Sequence, residues 1–237
     1  MALKFNFQKY FLELNLELPP KKIQDIEVYI DEINSWNRKA DLTSIEGNEN
    51  IFINLFIDAF TLAPYIKNGT KIIDIGTGGG FPGLALKLLF RDINLTLIDS
   101  SSKKCLFLKH ISELLQFENV EVLWKRAEDL GKDISYREKY DFACCRAVST
   151  LSAISELCLP FVKVGGKFIA SKGKDLNEIK ETEPVIALLG GVIEKIEKIK
   201  YPFFNEEKNI VIIHKNNPTP GKYPRRTGIP QKRPLKI

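Results

Sequence analysis

Histidine and cysteine are scarce in this chain of 237 residues: there are two histidines, His110 and His214, and four cysteines, Cys105, Cys144, Cys145 and Cys158. No two cysteines stand at C-x-x-C spacing. The ligand pairs from which tetrahedral zinc sites are built are therefore missing, and no metal is expected. Cysteines without a framework spacing point to a reducing, cytoplasmic compartment. Long apolar runs are missing too. No stretch approaches the roughly 18 uncharged apolar residues that cross a bilayer. The first residues carry Glu13 and Glu17 among their leucines, unlike the apolar core of a secretory leader. No membrane partner is expected.

What is present is an ordinary globular balance, 44% apolar and 27% charged, which excludes a wholly disordered chain. The length suits one main domain with extensions and a core that needs no disulfides. The net charge of +5 is unevenly placed. From His214 onward there are Lys215, Lys222, Arg225, Arg226, Lys232, Arg233 and Lys236 and no acid, so this segment carries +7 and the remainder −2. A basic arm suits a polyanionic partner, nucleic acid first. It also suits a solvated terminus that keeps the protein soluble.

Residues 1–66 read as a helical N-terminal extension. Ile23, Ile26, Ile30 and Ile33 fall at spacings of three and four behind Pro19-Pro20, one face of a helix with a start signal. A second apolar run covers 51–62, and a polar connector from Trp36 to Ser44 lies between. From about residue 67 to 214 short β-rich runs alternate with helical ones. Strands are expected at 72–75, 95–99, 120–124, 140–145, 167–171, 192–199 and 209–214. Helices are expected at 84–90, 102–117, 151–162 and 175–189. This alternation predicts a doubly wound α/β domain with a mostly parallel sheet. The sixth strand is ambiguous, because Ile193, Ile196 and Ile199 repeat every three residues as in a helix. Too few residues separate the last two strands for a crossover helix, so they should pair antiparallel. Residues 215–237 form the basic C-terminal tail.

The chemistry is concentrated at strand ends. Ile72-Ile73-Asp74-Ile75 runs into Gly76-Thr77-Gly78-Gly79-Gly80-Phe81-Pro82-Gly83. Glycines let backbone approach a ligand, and free N–H groups at the start of the next helix favour acceptor atoms. Two templates fit. Gly76-x-Gly78-x-Gly80 is the compact turn of S-adenosylmethionine (AdoMet) methyltransferases, and Gly78-x-Gly80-x-x-Gly83 is the dinucleotide fingerprint. The first puts Gly76 directly after the strand, which favours it. Asp99 ends the next strand, 23 residues after Gly76, where an acid binds ribose hydroxyls. It or Ser100 also suits the N-cap of the helix that follows. Ala127 and Glu128 follow the third strand, where an adenine ring would lie. Arg126, Arg146 and Lys172 sit at three strand ends and together suit an anionic substrate. No acid–base couple stands among them, and neither histidine falls at a strand end facing the crevice, which weighs against a dehydrogenase. Cys144-Cys145, inside a strand, reads as a pair of small buried hydrophobes. Trp36 and Trp124 read as packing residues.

Together these motifs resemble the bacterial 16S ribosomal RNA guanine-N7 methyltransferases, also called the glucose-inhibited division protein B family. The resemblance rests on Trp36-Asn37 with Leu42-Thr43-Ser44-Ile45, the run from Asp74 to Gly83, Arg126 to Leu130, Arg146-Ala147-Val148, Ser171-Lys172-Gly173, and the tail from Thr219 to Pro230. It implies a class I AdoMet-dependent methyltransferase fold, Rossmann-like, seven-stranded with the last strand antiparallel, behind the helical extension. It implies AdoMet contacts at Gly76, Gly78, Phe81, Asp99, Ser100, Ser101, Ala127, Glu128 and Arg146. Arg126, Arg146 and Lys172 would serve the RNA or the transfer step. The partner would be 16S rRNA or the small ribosomal subunit, with the enzyme a monomer. The family often has a histidine and an Asp-Ser pair where this chain reads Leu55-Phe56-Ile57-Asp58-Ala59, so the extension is assigned only packing and partial closure of the site. Three other readings stand beside this one: an NAD-linked oxidoreductase, a non-catalytic RNA-binding protein with a relic cofactor pocket, and a methyltransferase of another RNA or a small molecule.

Overall fold

The N-terminal extension begins with α1 (Gln8–Glu13) and α2 (Pro20–Ala40). Pro20 opens α2 at a position where its missing N–H costs nothing, and Ile23, Ile26, Ile30 and Ile33 are all buried on one face. The second apolar run is not one regular helix. It is divided into α3 (Asn48–Ile51), a π-helical stretch at Phe52–Ile57 and α4 (Asp58–Phe60). The structure is a computed structural model that describes residues 8–146, 149–173, 175–204 and 207–237. The first seven residues of the segment read as helical, and Ala147 and Val148, lie outside the described residues.

Seven strands then form a single sheet: β1 (Lys71–Ile75), β2 (Asn94–Asp99), β3 (Val120–Trp124), β4 (Tyr140–Cys145), β5 (Val162–Lys172), β6 (Gly191–Ile199) and β7 (Lys208–Lys215). Their order is β3-β2-β1-β4-β5-β7-β6, with β7 antiparallel to both neighbours and the other pairings parallel. The helices between them are α5 (Gly83–Leu89), α6 (Ser102–Leu114), α7 (Ala127–Leu130), α8 (Leu151–Cys158) and α9 (Leu176–Leu188), and α10 (Ile229–Lys232) lies near the C-terminus. The third expected helix, 151–162, therefore stops early. It yields to a 3-10 turn at Leu159–Phe161, because Pro160 has no N–H to donate to the Glu156 carbonyl four residues back.

Side chains alternate across the sheet and build two cores. Ile72, Leu95, Leu97, Phe142, Cys144, Ile169, Ile210 and Ile212 meet the N-terminal extension, α5 and α6. Ile73, Ile75, Ile98, Ala143, Cys145, Phe168, Val211 and Ile213 meet α8, α9 and Tyr223 of the C-terminal segment. The three-residue spacing of Ile193 and Ile196 in the sixth strand has a cause in this alternation, while Ile199 packs on the other core. A bulge between Ile193 and Lys195 lets Ile193 oppose Ile213 and Ile196 oppose Val211. Ile193 and Ile196 thus share one face although three residues separate them. Trp36 packs as expected, on Phe107 and stacked with His110. Trp124 does not: it is 64% exposed at the end of β3, with its indole N–H donated to the Ser100 carbonyl at 2.9 Å.

Both chain extensions are tied to the sheet domain. Asp25 of α2 is buried and takes Arg91 at 2.7 Å and Lys21 at 2.6 Å. Residues 216–237 pack back over α8. Lys215 is fully buried, its ammonium donating to the Leu159 carbonyl at 2.6 Å and to the Thr219 hydroxyl. Arg225 grips the buried Glu156 carboxylate through Nε and Nη2, and its backbone N–H donates to the same group at 2.7 Å. Two of the tail's cations are therefore structural, while Lys222, Arg226, Lys232, Arg233 and Lys236 face solvent.

Removing one member of a buried ion pair strands the other charge. Because Arg225 keeps about a quarter of its side chain exposed, Arg225→Ala is expected to lower unfolding free energy by about 3 kcal/mol. Urea denaturation reads this directly, and Glu156→Gln, which strands no anion, should cost less.

Candidate active site

The glycine turn after β1 is held open from three sides. Gly76, Gly78 and Gly80 have φ of 69°, 59° and 94°, a region that side-chain-bearing residues rarely enter. A Cβ at Gly76 or Gly78 would meet no atom within 4 Å, so both present bare backbone to open space. A Cβ at Gly80 would strike the Tyr29 hydroxyl, which donates to the Gly79 carbonyl at 2.7 Å. Beneath the turn, Asp74 is fully buried, and its Oδ2 accepts the Thr77 hydroxyl at 2.7 Å and the Gly83 N–H at 2.8 Å. From β2, Asp99 accepts the Gly78 N–H at 3.0 Å and the Ser101 N–H at 2.8 Å.

Two clefts meet at Gly76. The first, about 490 Å³, runs along the ends of β1, β2 and β3 between Ile75, Ile98 and Leu157, with Gln231 of α10 on its rim. Asp99, Ser100, Arg126, Ala127 and Glu128 line it. The second, about 1000 Å³ and open to solvent, holds Gly78, Phe81 and Arg146 together with Lys104 and Ser171. Ser101 lines neither cleft and instead caps α6, its hydroxyl accepting the Lys104 N–H at 3.5 Å. Lys172 also lies outside both linings. Its ammonium donates to the Ser149 carbonyl at 2.7 Å and pairs with Glu178 at 2.9 Å. The Glu128 carboxylate accepts the Gly228 N–H at 2.7 Å, so the C-terminal segment closes over this end of the first cleft. Burial pushes the Cys144 and Cys158 thiols well up, as befits inert packing groups.

Several site residues had no individual role assigned in the sequence beyond the packing and partial closure expected of the N-terminal extension. Leu42 to Ile45 and Leu55 of the N-terminal extension line the second cleft. The connector owes its shape to Asn37, whose Oδ1 accepts the N–H groups of Leu42 and Thr43 and whose Nδ2 donates to the Thr43 carbonyl. The Trp36-Asn37 pair was the available signal. Asp58 binds Arg146 at 3.2 Å and Lys208 at 2.6 Å. Its signal was a lone acid in an apolar run.

An apolar slot with a carboxylate at one end, opening past bare glycine backbone into a basic cleft, fits a nucleoside that carries a charged appendage. On this strand order, the fold and site define a class I AdoMet-dependent methyltransferase. A family model described as rRNA small subunit methyltransferase G matches residues 22–211. The chain is 44% identical over 226 residues to the ribosomal RNA small subunit methyltransferase G of Dictyoglomus thermophilum, covering 94% of this chain and 93% of that protein. It is 41% identical over 221 residues to the protein of the same name from Acetivibrio thermocellus, covering 93% and 91%. A solved SAM-dependent methyltransferase from Aquifex aeolicus shares the fold, with a TM-score of 0.51 at 17% identity over 69% of this chain and 92% of that one. The chain belongs to the rRNA small subunit methyltransferase G family. The dinucleotide reading of Gly78-x-Gly80-x-x-Gly83 is set aside with it.

Asp74 gives the turn a pH dependence. Burial pushes its carboxyl up to about 7 from 3.8, against the pull of Thr77 and the Gly83 N–H. Between those values the folded chain keeps a proton that the unfolded chain has released. The stability this group contributes is therefore full below about pH 4 and lost as pH rises through about 7. Asp74→Asn keeps an oxygen for Thr77 and Gly83 but cannot ionise. Denaturation at a series of pH values should show the variant gaining on the native protein by up to about 1.4 kcal/mol per unit across this window. A constant difference would show that Asp74 does not titrate there.

Proposed function

We propose that this AdoMet-dependent methyltransferase of small-subunit ribosomal RNA methylates N7 of a guanine in 16S rRNA. It acts as a cytoplasmic monomer, and among the described residues no helix is long and apolar enough to cross a membrane. The observation that carries the choice of atom is the lining of the second cleft. Among the described residues it contains the cations Lys104 and Arg146 but no carboxylate, histidine or cysteine. A nucleophile that must lose a proton needs a base there. Guanine N7 has a free lone pair and no proton.

The first cleft would hold the adenosine. Ile98, Leu157 and Ala127 supply apolar walls for the ring. Each Asp99 oxygen already accepts one backbone N–H and keeps a lone pair for a ribose hydroxyl. Gly76 and Gly78 would pass the amino-acid end along bare backbone toward the second cleft. AdoMet supplies a sulfonium methyl: the N7–carbon bond forms as the carbon–sulfur bond breaks, and the electron pair leaves with sulfur. The protein's work is to hold nucleophile, methyl and sulfur in line. Arg146 would take the guanine O6 edge or a flanking phosphate, and Arg126 a phosphate. Lys172 would act through the Ser149 carbonyl it holds. The exposed cations of the C-terminal segment would grip the backbone around a base splayed from its stack.

Transfer of labelled methyl from AdoMet is compared on small subunits lacking native N7 methylation and on deproteinised 16S RNA. Label that makes the RNA cleavable by alkali after reduction is the expected result. Stable label would move the acceptor to another atom. Labelling of small molecules alone, or tight AdoMet binding without transfer to either RNA, would overturn the reading. For Arg146→Ala, transfer should fall about 100-fold or more while AdoMet affinity holds within about threefold. A matching loss of AdoMet affinity would place Arg146 on the cofactor instead.

A further inference from the structure

Asp58 stands directly behind the π-helical stretch Phe52–Ile57. A π turn takes one more residue than an α turn, which rotates the helix after it relative to the helix before it, and such turns recur at functional sites. Here Leu55 lines the second cleft, and Asp58, one turn on, is buried behind it. The two Asp58 oxygens are taken by different cations. Oδ1 accepts from Lys208 at the start of β7 at 2.6 Å, and Oδ2 faces Arg146 Nε at the end of β4 at 3.2 Å. The contact to Arg146 uses Nε. Both terminal nitrogens of that guanidinium, which lines the cleft, are left without a protein partner among the described residues.

We propose that Asp58 is a positioning residue for methyl transfer: its ion pair on the Nε side of the Arg146 guanidinium holds the group so that the two terminal NH2 groups face the acceptor base or its phosphate. The planar fork of arginine has a fixed geometry, so anchoring one edge aims the other. The carboxylate has a second effect. Positive charge moves from sulfur onto the guanine ring during transfer, and a bare arginine beside the ring would oppose it. Asp58 offsets that charge while leaving the donors in place. The inference rests on the reading of Arg146 as an acceptor-side contact.

Four variants separate the possibilities: Asp58→Asn, Arg146→Ala, their double variant, and Lys208→Met. Single-turnover transfer to small subunits and AdoMet binding by calorimetry are measured for each. Asp58→Asn should slow transfer about 10- to 100-fold with AdoMet affinity unchanged. The double variant should be no slower than Arg146→Ala alone, since Asp58 acts only through Arg146. Losses that multiply in the double variant, or an equal loss of AdoMet affinity in Asp58→Asn, overturn the proposal. A native rate in Asp58→Asn with a slow Arg146→Ala overturns it and leaves the reading of Arg146 intact. A native rate in Arg146→Ala removes both. Lys208→Met cuts only the other arm and should stay within about threefold of native. A fall as deep as that of Asp58→Asn would make Asp58 a packing tie and overturn the positioning role. If Asp58→Asn does not fold, Arg146→Lys decides. It keeps a cation for Asp58 but has no second nitrogen to aim, so it should be nearly as slow as Arg146→Ala. A native rate there overturns the proposal.

Discussion

The site depends on one buried carboxylate. Asp74 lies wholly inside the molecule at the end of β1 and bonds two backbone-proximal donors of the adjoining turn, the Thr77 hydroxyl and the Gly83 N–H. Burying a charge-bearing group is costly; here only Oδ2 is bonded, Oδ1 has no hydrogen-bond partner among the described residues, and the two bonds to Oδ2 set the course of the chain from strand to helix. Gly83 has no alternative: a Cβ there would come within 2.9 Å of Asp74 Oδ2 and 2.8 Å of a Leu97 methyl. Asp99 from the neighbouring strand and Tyr29 from the N-terminal extension fasten the same turn from above. Glycine backbone that would otherwise be mobile is thereby preorganised.

The two chain extensions complete what the sheet begins. Parallel strands end on one edge, and the crevice beyond them is where ligands bind in such folds. The N-terminal extension brings Leu42 to Ile45, Leu55 and Asp58 to one side of that edge, and the C-terminal segment brings Gly228 and Gln231 to the other. Each is anchored by an ion pair on a buried carboxylate, Asp25 with Arg91 and Glu156 with Arg225. Both set where the walls of the site stand.

On the proposed reaction, catalysis is a matter of placement. Among the described residues the second cleft is lined by the cations Lys104 and Arg146 and by no carboxylate, histidine or cysteine, which fits the proposed attack by a free lone pair. What the protein must supply is alignment, and alignment comes from side chains that are themselves held: Arg146 by Asp58, Phe81 by stacking on Tyr29 and an edge contact with Phe56. The same logic divides the basic tail. Lys215 and Arg225 are spent inside the fold, and the exposed cations beyond them remain for a polyanion.

The strand pattern, the glycine turn and the acid at the end of β2 were legible in the sequence because each arises from local chemistry. Apolar runs bounded by turn residues make strands, glycines mark backbone that must bend, and an acid at a fixed distance marks the next strand end. The family resemblance was legible for the same reason, since its motifs are contiguous. What the residues alone did not reveal depends on partners far apart in the chain. The bulge that lets Ile193 and Ile196 share a face exists only against β7. Lys172 turned to Glu178 and the Ser149 carbonyl, not to a cleft, because those acceptors lie beside it only after the sheet has formed. Trp124 stayed exposed because it ends β3, the edge strand of the sheet. Asp58 met Arg146 across 88 residues of sequence, a contact that no spacing rule encodes. Local chemistry determined the elements and the cofactor turn. Which charges are buried, which are paired and which are left for a ligand was decided by packing, because desolvation acts on a group only once its surroundings are complete.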